Sequence, residues 1–134
     1  EHYFDVIKSK TENGIRKVPI SDYIYPFIEN WYHSSKCEYL LHTEEDKRFK
    51  YRNYYDSYFL PLMIQLGFDQ TPHCCRHTCI SLLAEAEVSP TYQKMIVGHK
   101  GAMNLTEKVY THIDINLLID AVNSIYYPNS IKNK

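Results

Sequence analysis

Three short stretches of the sequence carry residue types suited to work on a phosphodiester. They are Thr71-Pro72-His73-Cys74-Cys75-Arg76-His77-Thr78, Val97-Gly98-His99-Lys100 and Val109-Tyr110-Thr111-His112. Thr71 suits a helix N-cap and Pro72 the first helical position, so His73 and Arg76 fall in an opening turn whose free N–H groups and dipole favour an anion. Their i, i+3 spacing puts both on one face. The planar fork of Arg76 can hold two phosphate oxygens while His73 donates one further hydrogen bond to the same group. His99 follows an expected helix end, where the dipole stabilises a protonated imidazole able to donate to an anion. Tyr110 supplies a hydroxyl able to act as a nucleophile. We read the three stretches as parts of one active site.

The elements that must position these groups follow from the apolar pattern. Residues 2 to 8 and 15 to 20 read as two strands joined through Thr11-Glu12-Asn13-Gly14, where Asn13-Gly14 is a tight-turn signal. Lys8, Lys10, Arg16 and Lys17 crowd this hairpin, as a solvated charged edge or as a contact for nucleic acid. Ser21 to Ser34 reads as a helix with Ile24, Phe27, Ile28 and Trp31 forming a core stripe, and Pro26 near its start. A polar loop to Lys50 follows. Tyr51 to Leu66 reads as a helix stopped by Gly67 and kinked at Pro61, with Tyr51, Tyr55, Tyr58, Phe59, Leu62, Met63 and Leu66 as its core face.

The helix opened by Thr71 is expected to reach Ala86 and to bury Cys75, Cys79, Leu82, Leu83 and Ala86. Ser89-Pro90 starts another, which ends at Gly98. Thr106 can cap a short helix carrying Val109 and Ile113 inward. Asp114 opens a last helix whose Ile115, Leu118, Ile119, Val122, Ile125 and Tyr126 form an apolar stripe, directed into its own domain or onto a partner.

At 134 residues with 44% apolar composition the chain allows one ordered domain with a core. It contains no apolar run of membrane-spanning length and no signal-peptide pattern, so a cytoplasmic protein without membrane contact is expected. Cys37, Cys74, Cys75 and Cys79 form no evenly spaced framework and are expected as reduced thiols. A formal charge of −1 is not the overall footprint of a self-sufficient nucleic-acid binder, so DNA contact must rest on local basic clusters. The sequence starts at Glu1 inside an expected strand, and we read it as a fragment.

In order and spacing the set resembles the catalytic domain of the tyrosine recombinases, the phage-integrase family that includes integrases of conjugative transposons. His73-Cys74-Cys75-Arg76-His77-Thr78 matches the H-x-x-R-H-T box, Val97-Gly98-His99 the L-G-H box, and Val109-Tyr110-Thr111-His112 the surroundings of the nucleophile. Ser9-Lys10-Thr11 followed by Val18-Pro19-Ile20 resembles the hairpin of the family's catalytic lysine. The likeness runs from about residue 2 to residue 125. It implies an α+β, mainly helical fold: a small antiparallel hairpin packed on a bundle of about five to six helices, truncated at its N-terminus.

The resemblance also implies site-specific DNA recombination on double-stranded DNA. Tyr110 would attack the scissile phosphodiester and form a 3′-phosphotyrosyl link; Arg76, His73 and His99 would stabilise the transition state, and Lys10 would protonate the leaving 5′-oxygen. The bond energy is stored covalently, so no cofactor, metal or ATP is expected. His77 supports packing and His112 stands near the site. Lys8, Arg16, Lys17 and Lys100 are the expected DNA contacts, and other recombinase subunits, as a tetramer on DNA, the expected partners, through helix 115–127. The family has a first catalytic arginine on a helix before the hairpin and an N-terminal DNA-clamping domain. Neither matches any part of this sequence, since Arg16 lies within the hairpin, so residues 1 to 134 read as a partial catalytic domain deficient in cleavage by itself. The His99 to Tyr110 interval is slightly longer than in compact members.

Two other readings follow from the same residues. His73, Cys74, Cys75, His77 and Cys79 offer nitrogen and sulfur ligands for a metal-binding module, against which Arg76 would repel a cation. A non-catalytic DNA-binding or assembly module would use the hairpin on the backbone and the last helix on a neighbour. A type IB topoisomerase shares the tyrosine chemistry, but the Gly98-His99 and Tyr110-Thr111-His112 pattern favours the recombinases.

Overall fold

A computed structural model of the chain describes residues 1–10, 14–98 and 113–127. The first two elements are strands β1 (Tyr3–Val6) and β2 (Arg16–Pro19), paired antiparallel with Tyr3 opposite Pro19 and Val6 opposite Arg16. Ile20 N–H extends the ladder to His2 O at 3.0 Å. This register centres the connection on residue 11, whereas a two-residue Asn13-Gly14 turn would centre it between those two. The strands are thus shorter than expected and their link longer; residues 11–13 lie outside the described residues.

Helices make up most of the rest, giving the mainly helical α+β architecture. They are α1 (Tyr25–Ser34), α2 (Tyr51–Tyr54), α3 (Leu60–Leu66), α4 (Pro72–Glu85), α5 (Pro90–Val97) and α6 (Ile115–Asn123). A π-helical turn, Tyr55–Phe59, joins α2 to α3. Pro61 sits in the first turn of α3, where its missing N–H and ring would otherwise disrupt a continuous α ladder, so the expected kink is a π turn. Local chemistry sets the remaining ends. Ser89 Oγ accepts from Tyr92 N–H at 3.3 Å and Asp114 Oδ1 from Asn116 N–H at 3.0 Å. Gly67 and Gly98 close α3 and α5 with φ of 72° and 64°.

Two compact units divide the chain, Ile24–Arg76 on one hand and Glu1–Tyr23 with His77–Lys134 on the other. In the second unit β2 lies against α5 and α6. Its core gathers Leu83 from α4, Ile96 and Val97 from α5, and Ile115, Leu118, Ala121, Val122 and Ile125 from α6 and its exit. Tyr3, Cys79, Leu82 and Tyr92 pack around them half-buried. The apolar stripe of α6 therefore turns into its own unit rather than outward, while Tyr126 stays exposed. The helix stops at Asn123, short of the expected 127. Asn123 exchanges two hydrogen bonds with Asp22, tying the α6 end to the chain leaving β2. Cys75, expected inside, is exposed; the inward face of α4 starts at Cys79.

Ile24–Arg76 is held differently. Phe59 is its one buried hydrophobic side chain among the described residues. Phe49 meets Tyr54 and Tyr58 edge-on at 6.1 and 5.3 Å, and Tyr55 stacks on Phe59 at 6.0 Å. The expected core stripes are not covered: Phe27 and Trp31 of α1, and Tyr51, Tyr58, Leu62 and Leu66 of the next helices, are exposed. Spacing marked these faces correctly as apolar, but within Ile24–Arg76 the described residues leave them exposed. The loop before α2 contains a small turn in which His42 bridges Arg48 and Asp46 takes φ 58°, a left-handed conformation aspartate tolerates. No helix among the described residues is long and apolar enough to cross a membrane.

Candidate active site

The first turn of α4 carries His73 and Arg76 one helical turn apart. Cys74 N–H donates to Thr71 O at 2.9 Å, which makes Thr71 the residue that starts this helix. The Thr71 hydroxyl lies 3.5 Å from Cys74 Sγ. Hydrogen bonding from Thr71, first through that hydroxyl, holds the Cys74 thiol below its ordinary range. His73 is exposed and Arg76 half-buried. Among the described residues no carboxylate lies within ion-pair distance of Arg76, and α4 has no acidic residue in its first turn. A half-buried guanidinium in the first turn of a helix lies at the positive end of the helix dipole, which favours an anion there.

The hairpin residues part company. Lys8 and Lys10 are exposed beyond the end of β1. Lys17 sets its Nζ 4.6 Å from the centre of the Tyr3 ring, a cation–π contact across the two strands. Arg16, expected to face DNA, turns its Nε to Ile96 O at 3.2 Å and its Nη1 to Gly14 O at 3.1 Å. It thereby joins the hairpin to the C-terminus of α5, the helix that delivers Gly98. His99, Lys100, Tyr110 and His112 lie outside the described residues.

His73, Cys74, Cys75, His77 and Cys79 form no convergent metal-ligand group among the described residues. A different trio does converge. Cys37, His42 and Asp46 bring their ligand atoms within 4.8 Å of one another in the loop before α2. His42 Nδ1 stands 2.9 Å from Thr43 O and 3.4 Å from Asp46 Oδ1, and Cys37 Sγ donates to Tyr39 O at 3.6 Å. Backbone carbonyls and the partner side chain thus satisfy these groups. Cysteine, histidine and aspartate at four- and five-residue spacing were the only sequence sign of this trio. The Arg16 contact with α5 had none, because eighty positions separate its partners.

The comparisons with known proteins agree with the order of these motifs. A model of the phage integrase family matches residues 2–116, a span that contains the hairpin, both histidine-bearing boxes and Tyr110. No curated protein and no solved structure matches the chain.

Proposed function

The chain belongs to the phage integrase family, whose members carry out site-specific DNA recombination, and we propose that this chain supplies the strand-cleaving part of that reaction. The observation that carries the reading is the match over residues 2–116, with His73, Arg76, His99 and Tyr110 in family order inside it. In the reaction, Tyr110 Oη attacks the scissile phosphorus and the bond to the 5′-oxygen breaks, leaving a 3′-phosphotyrosyl link. Lys10 protonates the departing oxygen. A 5′-hydroxyl of a partner strand then attacks the phosphotyrosyl phosphorus and releases Tyr110, so the bond energy is conserved and no metal or ATP enters.

Arg76 and His73 hold the non-bridging oxygens from the α4 N-terminus and His99 adds a third donor, each placed before charge develops on the phosphorane-like transition state. Double-stranded DNA is the substrate, approached by Lys8 and Lys10 on the hairpin, with Lys17 and Lys100 as further basic contacts. The synaptic assembly contains further recombinase subunits. With Arg76 as the single arginine read into the phosphate clamp, residues 1 to 134 alone cleave poorly or not at all.

The test is covalent trapping on nicked suicide DNA, comparing residues 1 to 134 with the chain extended upstream and with Tyr110→Phe in the extended form. A denaturant-resistant adduct in the extended chain that disappears with Tyr110→Phe is the expected result. Persistence of the adduct in Tyr110→Phe would reassign the nucleophile. Absence of any adduct on cognate DNA would move a non-catalytic DNA-binding or assembly role ahead. An adduct formed as fast by residues 1 to 134 would remove the need for the upstream arginine.

A further inference from the structure

Arg16 and Gly98 form a joint that the motifs do not account for. Arg16 opens β2, and its Nε donates to the carbonyl of Ile96 in the last turn of α5. That carbonyl is one of the four that a helix end leaves without an intrahelical partner, and the negative end of the helix dipole favours a guanidinium there. Gly98 caps the same helix with φ +64°, and its N–H closes on Lys94 O at 2.9 Å. A Cβ at Gly98 would come within 2.7 Å of Arg16 Cζ and Nη1. The left-handed backbone calls for glycine, and a Cβ there would push the Arg16 guanidinium out of its present place. Ile96 and Val97 beside the joint are buried, so the helix end cannot shift without disturbing the core.

We infer that Arg16 is a positioning residue for the recombination reaction: it locks the exit of α5 at Gly98, the residue that directly precedes His99 in the sequence, to the hairpin bearing Lys10. The inference rests on the reading of His99 and Lys10 given above. It replaces a direct DNA contact as the main work of Arg16. A fork holding two carbonyls, Ile96 O and Gly14 O, fixes a relative orientation that a single ammonium cannot. Small errors in the placing of a reacting group cost much of the rate.

Two measurements test it. In the 134-residue chain, NMR follows the His99 imidazole through a pH titration and hydrogen exchange of the Gly98 amide. Arg16→Gln is expected to move the His99 resonances and titration midpoint and to speed Gly98 exchange about fivefold to tenfold. Arg16→Lys, which keeps the charge and loses the fork, is expected to fall between; it also serves if Arg16→Gln does not fold. Val18→Ala, a destabilising change in the same strand, is the control and leaves the His99 midpoint where it was. In the upstream-extended chain, Arg16→Gln is expected to slow adduct formation at saturating DNA about tenfold while Kd changes less than about twofold, and to add nothing on a His99→Ala background. Unchanged His99 and Gly98 signals together with weakened DNA binding would overturn the inference and return Arg16 to the DNA contacts. Absence of an adduct in the unsubstituted extended chain would count against the cleavage reading, while the NMR measurement would still decide the joint.

Discussion

Helices α1 and α6 are alike in sequence pattern and opposite in fate. Each is about ten residues long with apolar side chains at helical spacing. Yet α6 buries Ile115, Leu118, Ala121 and Val122, whereas α1 buries none of its residues and leaves Phe27 66% and Trp31 42% exposed. The difference lies in the neighbours. α6 meets β2 and α5, which bring Ile96 and Val97 to its face, while on α1 Trp31 meets His42 edge-on and stays exposed. An apolar stripe states a demand for burial; meeting it takes another element in the right place.

The largest test of this contrast is Leu118→Ala, at 4% exposure. It is expected to lower the free energy of unfolding by about 3 kcal/mol in urea melts with an unchanged m-value, because removal of core methyls leaves a cavity. Phe27→Ala is the counterpart on α1, expected to cost less than about 0.5 kcal/mol, as at exposed sites generally. A cost for Phe27→Ala equal to that of Leu118→Ala would break the comparison and show that the α1 face is covered in solution.

Between these extremes lie two helix stops of one geometry in the two regions. After α3, Phe68 N–H reaches Met63 O and Gly67 takes φ 72°; after α4, Val88 N–H reaches Leu83 O and Glu87 takes φ 57°. Glu87→Gly is expected to stabilise the protein by about 0.5 to 1 kcal/mol and Gly67→Ala to destabilise it by about 1 kcal/mol, both read from thermal melts. Equal and negligible effects would mean the left-handed residues carry no strain.

The smallest expected effect is a pH dependence. Burial raises the Tyr127 phenol above its ordinary 10.0, with the Cys79 and Tyr23 charges adding to it, and its ring stacks on Tyr23 at 4.7 Å. On α1, Tyr25 is raised as well, first by its hydrogen bond to Glu29. A raised folded value means the neutral phenol is favoured by folding. The contribution is complete below the unfolded value and is lost as pH climbs through the folded one. Alkaline denaturation above pH 10.0 is therefore expected to be shallower in Tyr127→Phe than in the parent, and nearly unaltered in Tyr25→Phe, whose group lies at the surface. An equal change in both would mean that burial does not separate the two tyrosines.

Several helix ends around the candidate site were legible before the fold. Thr71, Pro72, His73 and Arg76 start a helix where the sequence places one, because caps and first-turn residues act within four positions. Gly67, Gly98, Ser89 and Asp114 mark their helix ends for the same reason. Asn13-Gly14 signalled a hairpin, and β1 and β2 do pair antiparallel, with strands shorter than the sequence suggested.

The amino-acid sequence by itself determined where several helices start or stop, at Thr71, Ser89, Asp114, Gly67 and Gly98, and the order of the motifs that mark the family. All of these depend on residue type and on spacing along the chain. Tertiary structure alone decided that Arg16 faces a helix carbonyl, that α6 buries its stripe, and that within Ile24–Arg76 the described residues leave the α1 stripe exposed. Those outcomes depend on groups far apart along the chain, such as Asp22 and Asn123 at 101 positions, and on the space between them, where a Cβ at Gly98 would displace the Arg16 guanidinium. Local sequence encodes what each segment can do; only the packed chain settles which neighbour it does it with.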